Sequence, residues 1–301
     1  MTILRSDERK QLQLGLNAVV GLAYNEYPEL WPDIFVESQS EKAYEEDVMM
    51  AGTGAGETKP EGAAIEYDDM FETFVARYQH QTIVKAVSIT EEAVEDNLYL
   101  TMGSQIARAM ARSMKFSKEL NRTNVLNYAT NSSYLGGDGV TLLNTAHPLG
   151  GGGTLSNMLA TSAQLSEAAI EQLSIQIAEW TDERGIPIRC MIKKLVIPTE
   201  LQFVAARILM TPYQPDTGDN NINAIFKLGT IRDGFSVNRY LTSPTMWFFI
   251  TDVPDGLRAF QRRALKKGLE GDFETGNLRY KLSERYSQGW TNPRGVAGSG
   301  N

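Results

Sequence analysis

TEEAVEDNLYLTMGSQIARAMARSMKFSKELNR, residues 90–122, is the stretch on which the fold turns. Thr90, followed by Glu91 and Glu92, has the chemistry of a helix N-cap with an acidic first turn. Val94, Leu98, Met102, Ile106, Ala109 and Leu120 then recur at helical spacing. The pattern predicts one helix of about 35–40 residues, roughly 55–60 Å long at the α-helical rise. That is several times the common helix length and enough to form the spine of a flat molecule.

Upstream of the spine, residues 71–89 are rich in β-branched and aromatic types, and Phe74, Ala76 and Tyr78 alternate with polar partners, as in a strand or hairpin. Before it, residues 37–47 are strongly polar and residues 52–62 are glycine-rich, predicting a long excursion tipped by Gly52, Gly54, Gly56, Lys59 and Pro60. Pro28 and Pro32 stop any helix, and the apolar Tyr27, Trp31, Ile34 and Phe35 around and after them suit an extended arm anchored by apolar side chains. The first segment carries Leu12, Leu16, Val19, Val20 and Ala23 at helical spacing, predicting a helix over about residues 7–24.

Downstream, Gly136, Gly137, Gly139 and the run Gly150 to Gly153 mark connections. Ser166 is placed to cap a helix bearing Ala169, Ile170, Leu173, Ile177 and Trp180 on one face, with Gly185 and Pro187 beyond it. Leu195 to Pro198 reads as a strand, and Thr199 with Gln202 has the spacing of a capping box ahead of Leu201, Val204, Ala205 and Ile208. Residues 211–223 predict a surface loop, 236–241 and 245–251 short strands, and Tyr280, Leu282 and Tyr286 a strand returning to the spine. The fold class is α+β.

Composition narrows the function. The chain has 301 residues and a formal net charge of -8, against the basic footprint of a dedicated nucleic-acid binder. No apolar run approaches the roughly 20 residues of a membrane span, and residues 1–8 lack a secretory h-region, so no membrane role and a cytoplasmic site of synthesis are expected. One cysteine, Cys190, excludes an intramolecular disulfide, and with only His80 and His147 a Cys/His zinc site lacks ligands. No cofactor or metal is expected.

Several motifs invite chemistry and are better read as structure. Residues 52–59, GTGAGETK, fail the phosphate-loop spacing, and Pro60 follows where a helix should begin. Cys190 reads as an inert buried thiol, His147 as a turn residue and His80 as a surface strand residue, although Cys190 with His147 keeps a thiol hydrolase in view. Arg108, Arg112, Lys115, Lys118 and Arg122 recur along the spine, either as a solvated face or as a stripe that meets phosphate or an acidic partner. Arg258, Arg262, Arg263, Lys266 and Lys267 pose the same choice, with acidic residues of a neighbouring subunit as the partner. Carboxylates are abundant at Glu41, Glu45, Glu46 and Asp47, yet no spacing singles out an acid/base pair.

The order of arm, long loop, spine helix, α/β region and returning strands resembles the major capsid proteins of tailed bacteriophages, with the Hong Kong 97-type fold. Local runs are similar to the Mu-type major head subunits: LLNTAHP at 142–148, LSEAA at 165–169, DERGIPI at 182–188, LVIPTEL at 195–201 and ERYSQGW at 284–290. The basic pair Lys193-Lys194 ahead of Leu195 departs from that pattern. The resemblance implies an N-terminal arm (1–36), an extended loop and β-hairpin (37–89), the spine helix of a peripheral domain (90–135), an axial domain (136–256) and C-terminal peripheral strands (257–301). It implies a non-enzymatic subunit that builds hexamers and pentamers of an icosahedral shell around packaged double-stranded DNA, assembled in the host cytoplasm and ending in the virion. Trp31, Ile34 and Phe35 are then expected to make inter-subunit arm contacts, and Arg108, Arg112, Lys115, Lys118 and Arg122 are candidates for a basic stripe facing the lumen of the shell. Because about 30 residues precede the loop, a separate scaffold protein is expected, with a portal, a cement protein and weak non-specific DNA contact as further partners. An encapsulin-like nanocompartment shell is the alternative within the same fold.

Overall fold

The computed structural model describes residues 4–62, 64–65, 67–90, 92, 99–214, 221–272, 274 and 276–299. The spine is helix α2 (Tyr99–Asn127), 29 residues and about 43 Å of helix. Its expected beginning, including Val94 and Leu98, lies outside the described residues. The buried stripe is Ala107, Met110, Ala111, Met114 and Leu126, while Ala109, expected to face inward, is exposed. The inward register follows small residues because another helix lies close along them: α1 (Leu4–Glu26) packs Leu16, Val20 and Ala23 onto that stripe. The side chain of Leu12 lies outside the description.

Two four-stranded sheets flank this helix pair. In the first the order is β1 (Val36–Gln39), β10 (Leu257–Gly271), β11 (Leu278–Trp290) and β4 (Gln81–Ile89), with β1 parallel to β10 and the remaining pairs antiparallel. Strict alternation along β11 puts Leu278, Tyr280, Leu282 and Tyr286 inward, where Tyr280 and Leu282 join the α1–α2 core. The predicted returning strand is present and longer, and β10 is a long strand within the 257–301 stretch that the resemblance gives to C-terminal strands, at the charges the sequence left as a choice. Register shifts between Gln261 and Lys266 bend β10 at that charged segment.

A small antiparallel pair, β5 (His147–Pro148) and β6 (Thr154–Leu155), precedes the second sheet, which runs β12 (Val296–Ser299), β9 (Trp247–Thr251), β7 (Ile192–Ile197), β8 (Phe235–Val237). Strand β12 therefore leaves the C-terminal strands of the first sheet and closes the second. Over this sheet lies α3 (Glu167–Ala178), with Ala169, Ile170, Leu173 and Ile177 buried as the sequence predicts and Ser166 accepting a hydrogen bond from the Ala169 amide at 3.2 Å. The Thr199 capping box does not form: Thr199–Leu201 is a 3-10 turn leading into α4 (Gln202–Met210), so Thr199 sits inside the turn and not before it. A short α5 (Ala224–Leu228), capped by Asn223, follows the 211–223 loop, of which residues 215–220 are outside the description.

Between the sheets, β2 (Tyr44–Ala51) and β3 (Phe71–Gln79) form a separate two-stranded antiparallel ribbon joined by residues 52–70. β3 and β4 run almost continuously, broken at His80, so β4 lies along the first sheet while β3 leaves it. Backbone packs tightly where the ribbon departs: a Cβ on Gly137 would lie 2.6 Å from the Val75 carbonyl oxygen, which only glycine accommodates.

Candidate assembly surfaces

Trp31, Ile34 and Phe35 are at most 8% exposed and belong to their own subunit's core, together with Leu126, Leu142, Phe248 and Trp290. The expectation that they dock on a neighbour is corrected by this packing. After α1, the Pro28 and Pro32 segment passes over the spine, and a 3-10 turn at Trp31–Asp33 drives the aromatic ring inward. Apolar residues between prolines looked like a free arm because nothing in the segment shows that the same chain supplies the groove.

The basic stripe is likewise corrected. Arg108 and Arg112 are exposed, but Lys115, Lys118 and Arg122 are buried under the N-terminal segment. Lys115 pairs with Glu29, and Arg122 pairs with Glu37 at 2.6 Å while stacking 3.7 Å from the Trp31 ring centroid. The Lys118 ammonium donates to Gln261 Oε1 at 3.0 Å and lies 4.0 Å from the fully buried Glu284. Burial, then the neighbouring Arg122, lowers the Lys118 pKa, while burial and the Glu284 carboxylate raise that of the Tyr24 hydroxyl. These cations are a buried electrostatic seam, unable to form a continuous exposed stripe. Glu284 was missed, although alternation along 280–286 places it on the inward face with Leu282 and Tyr286.

At the ribbon's root three segments meet on His80, which is buried, contrary to its reading as a surface residue. Ser40 Oγ donates to Glu45 at 2.7 Å and can therefore accept from His80 Nε2 at 2.9 Å, leaving Nδ1 to accept from Ser287 Oγ at 2.9 Å. One strand further, Thr291 donates to Asp47, and Arg258 pairs with Asp47 at 2.9 Å. Burial raises the Asp47 pKa even though Arg258 opposes it. The ribbon is thus tied to the first sheet by polar groups at its base.

Beyond the root the ribbon and loop are open. Gly54, Gly56, Lys59 and Pro60 are in exposed or part-exposed chain, as is Gly52, and Arg184 holds the returning limb through Asp68 at 3.1 Å. Tyr67 is 91% exposed, with Ile65, Met70, Val48, Met50 and Val75 also on the surface. A second exposed apolar group, Phe203, Met210, Tyr213, Ile222, Phe226 and Leu228, covers α4, α5 and the loop between them. A cleft of about 670 Å³ between ribbon, spine and the 134–137 loop is lined by the stacked Tyr128 and Tyr134. Such an amount of exposed large apolar surface marks interaction sites.

The thiol-hydrolase reading finds no support in the geometry. Burial pushes the Cys190 thiol up to about 11, with Thr251 as its hydrogen-bonding neighbour. His147 is fully buried elsewhere, with Nδ1 on Asp138 at 2.6 Å and its ring edge-on to Trp290 at 5.9 Å. Its reading as a turn residue is corrected, since it lies in the short strand His147–Pro148. Among the described residues no group of three or more His, Cys, Asp or Glu could hold a metal, and no helix is long and apolar enough to cross a membrane.

Solved structures share this architecture. The chain is similar to a virus-like particle from Pyrococcus furiosus (TM-score 0.53, 11% identity, covering 94% of this chain and 97% of that one). It is also similar to the capsid of a native GTA particle (0.53, 11%, 89% and 88%) and that of the cyanophage P-SCSP1u (0.54, 11%, 90% and 87%). At that identity the likeness is one of fold. No curated protein sequence is significantly similar to the chain. A family model described as phage capsid protein matches residues 73–299, from the ribbon's second strand through β12, without singling out the Mu-type relatives; by that match over three quarters of its length, the chain belongs to the phage capsid protein family.

Proposed function

We propose that the chain is a major capsid subunit that assembles into hexamers and pentamers of an icosahedral shell enclosing double-stranded DNA, built in the host cytoplasm. The observation that carries this is area. The isolated chain exposes 17,320 Å², about a third more than the roughly 13,000 Å² of a compact chain of its mass. The excess is of the size that obligate interfaces bury. Exposed apolar side chains of the ribbon, its loop and the α4–α5 group are part of that surface, and the ribbon and its loop are read as lying over an adjacent subunit. A scaffold protein, a portal and a cement protein are the expected further partners, and DNA contact is local and non-specific because the chain is acidic overall. Family membership favours a virion shell over the nanocompartment alternative. Negative-stain imaging of the expressed chain tests the reading: closed shells of icosahedral outline are expected, and a monodisperse monomer at assembly concentrations overturns it. Nucleic acid in particles purified from infected cells, against enclosed protein, separates the two shell types.

A further inference from the structure

The charges of this chain are segregated. Residues 41–77, the ribbon and loop, carry ten Asp and Glu against three Lys and Arg, which is nearly all of the net charge of -8. Residues 257–285, from β10 into β11, carry eight Lys and Arg against four Asp and Glu. In the register of the first sheet, Lys266 lies opposite Ser283, Lys281 opposite Gly268 and Arg263 opposite Arg285. Ser283, Lys281 and Arg285 share one face of β11 by alternation, the face turned away from α1 and α2. Arg263, Lys266 and Lys281 are exposed there, with no ion pair in the described residues, and Val84 is exposed beside them on β4. Glu57, Glu61, Asp69 and Glu72 are exposed and equally without ion pairs on the ribbon and its loop.

Within one subunit the two surfaces meet only at the ribbon's root, where Arg258 pairs with Asp47 and Arg262 donates to the Lys42 carbonyl, and the exposed charges beyond it stay apart. The ribbon is rooted where Tyr78 packs on Gly289 and His80 on Ser287, and from there it runs along Gly137, Gly150 and Arg184. The basic face lies the other way along β11, with Lys281 eight residues from Gly289, about 27 Å at the strand rise. Resting on the reading that the ribbon lies over an adjacent subunit, we propose that it docks on the basic outer face of β10 and β11 in a second copy of this chain, with Arg263, Lys266 and Lys281 meeting Glu57, Glu61 and Glu72. Such a contact joins unlike surfaces of identical chains, the head-to-tail kind that closes rings. Apolar residues Tyr67, Met70 and Val84 supply contact area, and the charges supply register and partner choice.

The test is charge reversal in the full chain. One variant carries Arg263→Glu, Lys266→Glu and Lys281→Glu; a second carries Glu57→Lys, Glu61→Lys and Glu72→Lys; a third carries all six. Shell yield is read by sedimentation and electron microscopy, and folding by the melting temperature of unassembled subunits. Each single set should lower shell yield about tenfold or more, and the six-fold variant should recover most of it. A second series with Gln at the three basic positions guards against misfolding and should flatten the loss of assembly with added salt. Parental yield from the basic-face reversal overturns the pairing, as does failure of the six-fold variant to recover when its subunits melt like the parent. Normal shells that have lost only their DNA would assign the face to nucleic acid and overturn it too. Failure of the parent chain itself to form shells sinks the capsid reading, a result distinct from all of these.

Discussion

Arg122 shows how a charged residue can hold a core together. Its side chain is fully buried, stacked on Trp31 and paired with Glu37, yet Nε and one terminal nitrogen have no hydrogen-bond partner. Glu37 is itself exposed, so truncating Arg122 costs chiefly the packing and stacking of a large buried side chain, about 2–5 kcal/mol. Arg122→Ala should therefore lower subunit stability by about that amount in chemical denaturation, and an unchanged midpoint would show that the seam is solvated. His80 gives a pH signature. Burial, then Arg285 and Arg262, hold its imidazole below the ordinary 6.5 against the opposing pull of Glu45. The folded subunit thus binds that proton less readily than the unfolded chain, so this contribution is full above about pH 6.5 and is lost as pH falls through the folded-state value. Asp47, raised by burial, acts in the opposite sense nearer the carboxylate range. His80→Gln keeps a donor and an acceptor; its melting temperature should fall less than the parent's between pH 7 and pH 5.5, and parallel curves would remove His80 as the cause.

At the scale of elements the ribbon is the part poised to change with assembly. Its loop residues 52–62 are held to the body mainly through Asp68 on Arg184 and Gly54 on Asp68, while its apolar side chains face outward. Loop cleavage by a broad-specificity protease should therefore be fast in free subunits and at least about tenfold slower in closed shells, and equal rates would detach the loop from assembly. The ribbon and the spine were legible because glycine clustering and a sustained 3.6-residue period are local signals. Helix α3 was legible in its Ser166 cap and its apolar face, which belong to one short segment, while Trp180, read as part of that face, is buried just past the helix end at Ala178. What stayed hidden depends on distant partners. The spine's inward register was misread at Ala109 because Ala107 and Ala111 are chosen by the close approach of α1. Lys115, Lys118 and Arg122 looked like a surface stripe because the carboxylates that bury them, Glu29, Glu37 and Glu284, lie about 80 to 170 residues away in sequence.

For the whole molecule, the N-terminal segment decides whether the subunit is a body with an arm or a body alone. An arm would leave its docking side chains exposed in the isolated chain; here Leu16, Val20 and Ala23 face the spine, and Trp31, Ile34 and Phe35 sit in the core between the two sheets. These six contacts bridge helix pair, first sheet and second sheet, so the segment ties together parts that otherwise meet along strand ends and loops. Burying a large apolar side chain contributes about 1.5–3 kcal/mol, and all of these six but Ala23 are large enough for that figure, a sum comparable with the whole net stability of a domain. Deleting residues 1–35 should consequently give an aggregating or unfolded chain, not a folded subunit that assembles poorly. Trp31→Ala alone, opening a cavity beside Arg122, should cost about 3–5 kcal/mol in denaturant unfolding of the free subunit, before any assembly. The decisive comparison is the melting of unassembled subunits. A truncated chain that melts cooperatively near the parental temperature but forms no shells would restore the arm and show that the packing of Trp31 in its own core is dispensable.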